Sequence, residues 1–264
     1  MKIGFIGCGN MAQAIISGLI SNKMFMPEEI IASDKNVEAL VKAKELYGIN
    51  TTTNNSELVL ASEMLVLAVK PQIIANVITE ISEAVGEQKI VISIAAGQSL
   101  ARLRELFGRD MKIVRTMPNT PALVGESMTA MCCSDNINDV EATYVAKILG
   151  SFGKVESVPE NMMDAVVAVS GSSPAYVAML IEAMADAAVL KGMPRDKAYN
   201  FATQAVLGTA KLIMETGMHP GQIKDMVCSP AGTTIEAVKV LENKGFRSSV
   251  IEAMEACAEI SSKL

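Results

Sequence analysis

The run Cys228-Ser229-Pro230-Ala231-Gly232-Thr233-Thr234-Ile235-Glu236 sets a glycine turn at the start of a helical pattern. Thr233 and Glu236 stand in capping-box spacing. A helix start gathers free backbone N–H groups at the positive end of the helix dipole. Two hydroxyls stand beside them. Such a turn suits a small carboxylate, with a hydroxyl left for a neighbouring ring atom. Ser229, Ala231, Gly232, Thr233 and Thr234 are therefore the candidate anion site. A helix start that only caps itself is the plainer alternative.

The other end of the chain carries Gly7-Cys8-Gly9-Asn10-Met11-Ala12 between a strand pattern and a helix pattern. Gly7 permits a tight turn, Gly9 lets a pyrophosphate approach the backbone, and Ala12 allows close helix–strand packing. Asp34 lies roughly 20 residues further on, where an acid bonds a ribose 2′-hydroxyl and favours NAD. Ser33, Lys35 and Asn36 could instead receive a 2′-phosphate and favour NADP, so both cofactors stay open here. Ala68-Val69-Lys70-Pro71 and Ile94-Ala95-Ala96-Gly97 leave further strand patterns at the edge where cofactors lie in open α/β sheets. Small residues at Ala95 and Ala96 leave room for a nicotinamide ring. Arg115-Thr116-Met117-Pro118-Asn119-Thr120-Pro121 reads as a rigid polar loop, either a wall between cofactor and substrate or a plain connection.

These residues need a scaffold. Strand patterns cover Lys2–Ile6, Ile30–Ser33, Met64–Val69, Lys89–Ile94, Lys112–Met117, Ser127–Cys133 and Lys154–Val158. Helix patterns cover Met11–Ile20, Asn36–Tyr47, Pro71 to about Val85, and Asp139–Leu149. The alternation predicts a mostly parallel sheet covered on both faces. After Pro159 the strand patterns stop. Met162–Leu190 is an apolar stretch that Ser170-Gly171-Ser172-Ser173-Pro174 interrupts. Helices are predicted at Pro194–Glu215, Pro220–Val227, Thr233–Asn243 and Ser249–Ser262, the last with Ser249 and Glu252 as a capping box. The chain thus reads as an α/β protein: a Rossmann-type dinucleotide-binding domain at 1–159, then an all-α domain at 160–264. The wide apolar faces of the second domain predict packing on a second copy of the chain.

Composition bounds the chemistry. The formal charge is −6 with no basic block, which argues against nucleic acid. No run of about 18 apolar residues lacks a polar interruption, so no membrane span is expected. A strand pattern opening at Lys2 leaves no room for a secretory leader. The five cysteines, an odd number without repeat spacing, suggest free thiols in a reducing cytoplasm. The single histidine, His219, makes a His-based metal site or a Ser-His-Asp triad improbable and reads as structural. Eighteen methionines with no tryptophan suit adaptable helix interfaces.

Taken together the chain resembles pyrroline-5-carboxylate reductase nearly end to end. The resemblance rests on Gly7-Cys8-Gly9-Asn10-Met11, Ala68-Val69-Lys70-Pro71, Met117-Pro118-Asn119-Thr120-Pro121, Ser170-Gly171-Ser172-Ser173-Pro174-Ala175-Tyr176 and the block from Pro220 to Glu242. Ala231 stands where the family commonly has a second glycine. The resemblance implies a helical domain that interlocks with a partner subunit, giving a homodimer or a higher assembly of dimers. It implies reduction of 1-pyrroline-5-carboxylate to L-proline with NADPH, or alternatively NADH. It also implies that Asp34, Asn36, Asn55 and the Ala68–Pro71 turn contact the cofactor. Thr233, Thr234 and Glu160 would contact the substrate, with the Thr234 hydroxyl on the ring nitrogen as the catalytic group. Two rival readings share the dinucleotide domain. A β-hydroxyacid dehydrogenase needs a lysine after its Gly-rich turn, and Gly171–Ala178 offers none. A non-catalytic dinucleotide sensor would have no need of the intact Thr233-Thr234 loop.

Overall fold

The computed structural model describes residues 2–263. Eight strands form one sheet: β1 (Ile3–Ile6), β2 (Ile30–Ser33), β3 (Asn50–Thr52), β4 (Met64–Leu67), β5 (Ile90–Ser93), β6 (Lys112–Met117), β7 (Ser127–Cys133) and β8 (Gly153–Ser157). Their order is β3-β2-β1-β4-β5-β6-β7-β8. All neighbours run parallel except β6 and β7. The chain leaves β1 towards β2 and β3, then returns to place β4 on the other side of β1. The crevice at that reversal is where open α/β sheets bind ligands.

The strands are short apolar runs because both sheet faces are covered. Ile3, Phe5, Ile16, Leu19, Ile30 and Val114 lie in one buried cluster. Ile6, Leu58, Leu67, Ile74, Val91 and Ile113 lie in the other. The helices Asn10–Ser21, Val37–Tyr47, Pro71–Ile81 and Asp139–Leu149 supply the covering layers. Pro71 sits in a first turn, where its missing N–H costs nothing. Gly48 and Gly108 end helices in the left-handed region, which glycine enters without a Cβ clash.

Three elements escape the sequence patterns. β3 is a three-residue edge strand of polar residues. The helices Asn55–Ala61 and Leu100–Phe107 are each only about two turns long. Their caps were there to be read: Asn54 accepts from Glu57 N–H, and Ser99 from Arg102 N–H.

By backbone proximity the chain divides into two compact units. One comprises residues 1–172 with 257–264, and the other residues 173–256. No strand follows β8 among the described residues. In the second unit the helices Ser173–Leu190 and Arg195–Thr216 pack on each other as a hairpin. Arg195 pairs with Asp186 across it and lies over the Tyr199 ring. Helices Pro220–Val227, Thr233–Asn243 and most of Phe246–Ser261 complete it. The buried apolar residues of this unit are only Ala185, Ala198, Ala202 and Ile223.

Three expectations for the helical region change. The Ser170–Pro174 interruption is not a break: Val167–Gly171 forms a π turn, and Ser172 N–H reaches back to Val167 O. Pro174 lacks the N–H that would bond Ser170 O, so the helix widens there. The helical stretch Glu160–Leu190 is consequently long and apolar enough, by length and composition alone, to span a membrane. The Ser249–Glu252 capping box is absent, because the last helix already begins at Phe246 and Ser249 N–H bonds Gly245 O inside it.

Candidate active site

The parallel register brings the first set of candidate residues to one sheet edge. Ile6 pairs with both Ser33 and Leu67, and Leu67 pairs with Ser93. The turns that follow these residues therefore stand side by side. They carry Gly7–Met11, Asp34–Asn36, Ala68–Pro71 and Ile94–Ala96, with Asn55 at the head of the next helix.

Gly7 has φ +98, and a Cβ there would lie 2.4 Å from Ala68 O. Only glycine lets the turn after β1 pass the turn after β4. Gly9 is the opposite case. A Cβ on Gly9 would meet nothing within 4 Å, so its absence leaves open space at the N-terminus of helix Asn10–Ser21. That helix carries no side-chain cap and no acid in its first turn. Free amides at a positive dipole end, beside open space, fit a dinucleotide pyrophosphate. Two further contacts fix the turn. Cys8 N–H donates to Asp34 Oδ2 at 2.7 Å, and Gln13 Nε2 donates to Cys8 O at 2.8 Å. Gln13 was not among the sequence candidates; its place one turn into the helix is the signal that points to it.

The candidate side chains at this edge have unequal roles. The Cys8 thiol is buried, and burial with Asp34 nearby pushes it up to about 11, so only the Cys8 backbone borders the edge. Ser33 is also buried, and its hydroxyl donates to Asn55 Oδ1 at 2.7 Å. Asn55 Nδ2 in turn donates to Glu80 Oε2 at 3.1 Å. Asn36 caps the next helix, accepting from Glu38 and Ala39 N–H. Lys35 is exposed. Lys70 supplies the backbone N-cap of helix Pro71–Ile81. Ala95 is buried and Ala96 half-buried, which keeps the β5 end of the edge small.

Glu160 lies in the same unit, at the start of the helical region. Its Oε1 accepts from Leu100 N–H at 2.7 Å and from Arg115 at 3.0 Å. It thus ties the start of the helical region to β6 and to the helix after β5. The polar loop after β6 is built around Asn119. Its Oδ1 accepts from Met128 N–H and Ser127 Oγ, and its Nδ2 donates to Ser170 O at 3.0 Å. Ser170 O is the carbonyl that Pro174 cannot bond. A buried asparagine therefore uses the acceptor that the proline leaves open.

The Ser229–Thr234 loop belongs to the second unit. Gly232, not Thr233, is the N-cap of helix Thr233–Asn243, and no side chain caps it. The expected capping box is absent: Thr233 stands one position inside the helix, and Glu236 pairs with Lys239. The first-turn amides are consequently left without a side-chain acceptor. Ala231 has φ 56, a left-handed conformation that alanine rarely adopts. A Cβ on Gly232 would lie 2.3 Å from Ser229 Oγ. Glycine at 232 is what lets the Ser229 hydroxyl fold against the loop. Thr234 is half-buried. His219 is structural, as expected: its Nδ1 accepts from Gly221 N–H, and Gln222 completes the capping box.

Comparison with known proteins decides the family. Residues 160–264 match the family model described as pyrroline-5-carboxylate reductase dimerisation. The chain is 50% identical to the pyrroline-5-carboxylate reductase of Escherichia coli K12, over 100% of this chain and 98% of that one. The chain belongs to the pyrroline-5-carboxylate reductase family. Residues 2–97 match a second model, described as NADP oxidoreductase coenzyme F420-dependent. A Plasmodium falciparum pyrroline carboxylate reductase, solved with NADP bound, superposes with TM-score 0.92 at 33% identity, covering 100% of this chain and 97% of that one. The Streptococcus pyogenes 1-pyrroline-5-carboxylate reductase gives 0.90 at 34% identity, covering 100% and 99%. The reductase family thus accounts for both halves of the chain: the Rossmann-type edge and the helical region with its dimerisation match.

Proposed function

We propose that this chain reduces 1-pyrroline-5-carboxylate to L-proline with a reduced nicotinamide dinucleotide, the last step of proline biosynthesis. The observation that carries this reading is the 50% identity over the whole chain. The glycine turn at Gly7–Gly9 and the uncapped helix start at Gly232 are the two features the chemistry asks for.

The bound dinucleotide supplies the hydride. NADPH is the favoured donor, with NADH as the alternative, because the Plasmodium falciparum relative carries NADP and Lys35 stands exposed after β2. The free amides of helix Asn10–Ser21 would hold the pyrophosphate. The amides of Ala231 and Thr233 would hold the substrate carboxylate, while Gly232 N–H closes the loop on Ser229 O at 3.0 Å. The Thr234 hydroxyl oxygen would accept the N–H of the protonated ring imine. A protonated imine is already electrophilic, so orientation and preorganised polar groups supply most of the rate. Glu160 enters as a residue that braces the start of the helical region, since its Oε1 already accepts two donors.

The exposed apolar faces of the second unit support assembly into homodimers, alone or joined into a higher assembly of dimers. The long apolar stretch Glu160–Leu190 falls within the dimerisation match, so a second copy rather than lipid is its proposed cover. The five free cysteines suit a reducing cytoplasm. Purified protein, pyrroline-5-carboxylate and NADPH, followed at the nicotinamide absorbance, test the activity. No substrate-dependent oxidation of the cofactor would sink it.

A further inference from the structure

At the end of β2 stands an acid that the usual dinucleotide pattern would assign to a ribose hydroxyl. The structure gives it other work. Asp34 Oδ2 accepts from Cys8 N–H at 2.7 Å, and Oδ1 accepts from Asn36 N–H at 2.8 Å. Both carboxylate oxygens are therefore engaged by backbone amides, one in the turn after β1 and one in the turn after β2. The next peptide of the first turn is held as well, by Gln13 Nε2 on Cys8 O. Gly7 N–H bonds Ser33 O at 2.8 Å, so the two turns are already joined at their base. Two successive peptides of Gly7–Gly9 thus have their orientation set before any nucleotide arrives. Gly7 and Gly9 have no side chain with which to hold that shape themselves.

We propose that Asp34 is a positioning residue for the phosphate-binding turn, bridging the turns after β1 and β2 so that Gly7–Gly9 is preformed for either dinucleotide. Choice between NADPH and NADH then falls to the exposed tip at Lys35 and Asn36. The proposal rests on the nucleotide-binding reading above.

Two substitutions and one measurement on the unaltered protein test it. Asp34→Asn keeps the shape but retains one acceptor oxygen in place of two. Asp34→Ser is too short to bridge. Nicotinamide fluorescence titrations without substrate should show NADPH and NADH weakened together by about 10-fold in Asp34→Asn, the order expected for one charge-assisted hydrogen bond. Asp34→Ser should weaken both further, with the NADPH-to-NADH ratio held within about 3-fold in each variant. A role in fold stability alone would lower the melting temperature and leave both affinities unchanged, overturning the proposal. Loss of NADH binding with NADPH unchanged or tightened would also overturn it, making Asp34 a ribose-selecting acid. In the unaltered, nucleotide-free protein, hydrogen exchange should find the Cys8 and Asn36 amides protected. Rapid exchange at Cys8 would count against the bridge even if neither variant folds. Unaltered protein that binds neither nucleotide would instead sink the functional reading itself, and this inference with it.

Discussion

The two compact units solve the same problem in different ways. In the first, a sheet covered on both faces buries Phe5, Ile16, Leu19, Leu67 and Phe152 almost completely. In the second, Met179 and Phe201 are each 67% exposed and Leu190 is 86% exposed. Covering one such side chain is worth about 1.5–3 kcal/mol, so a face left this open in one chain calls for a partner. The polar groups differ likewise. The first unit closes its turns with long-range hydrogen bonds such as Ser33–Asn55, Cys8–Asp34 and Asn119–Ser170. The second has an uncapped helix start and a strained Ala231 in the loop before it. Both units keep an uncapped helix start, at Asn10 in the first and at Thr233 in the second, but only the second leaves a broad apolar face open.

The largest effect that could break this contrast is expected from charge on the open face. Phe201→Asp should abolish dimers in sedimentation velocity and reduce activity at least 100-fold. Leu60→Asp, at a position 74% exposed in the first unit, should change neither. Dimers that survive Phe201→Asp would mean that this face is not the seam. Next comes the uncapped helix start. Thr234→Ala should lower kcat/KM by about 10- to 1000-fold with the circular dichroism melt unmoved. Activity within about 2-fold of the unaltered protein would remove Thr234 from the mechanism.

A smaller effect sharpens the picture of the first unit. Cys8 and Cys132 are buried thiols pushed up to about 11, first by burial and then by Asp34 and Glu160 respectively. Their folded-state values lie above the unfolded one, so their contribution is fully present below about pH 9 and is lost as pH rises towards 11. The melting temperature should fall over that window, and less steeply in Cys8→Ala. A fall of equal steepness would place the alkaline sensitivity elsewhere. The smallest change is expected at Ala231. Relief of its left-handed conformation in Ala231→Gly should stabilise the fold by no more than about 1 kcal/mol, since glycine also gains freedom when unfolded. A loss of several degrees in melting temperature would show that the methyl group packs usefully.

Much of this was legible in short stretches of sequence because the deciding forces act over a few residues. The β1 turn needs glycine at 7 for a steric reason, and the pattern Gly7-Cys8-Gly9 announces it. Pro71 in a first turn and the apolar strand runs are of the same kind. The short elements were missed because Asn50–Thr52 is polar and the helices at 55–61 and 100–107 offer too few turns for a period. The Thr233 capping box failed by one position, since Gly232 serves as an N-cap without any side-chain oxygen.

The sequence alone therefore settled the strand–helix alternation, the glycine turns and the family resemblance, all matters of local sterics, periodicity and motif. Only the tertiary structure decided where the acids and amides spend their hydrogen bonds. Asp34 reaches back to Cys8, Glu160 reaches to Leu100 and Arg115, and Asn119 takes the carbonyl that Pro174 leaves open. Those partners lie 26 to 60 positions apart in the chain. No local preference encodes such pairings; they exist because the fold brings segments far apart in sequence side by side.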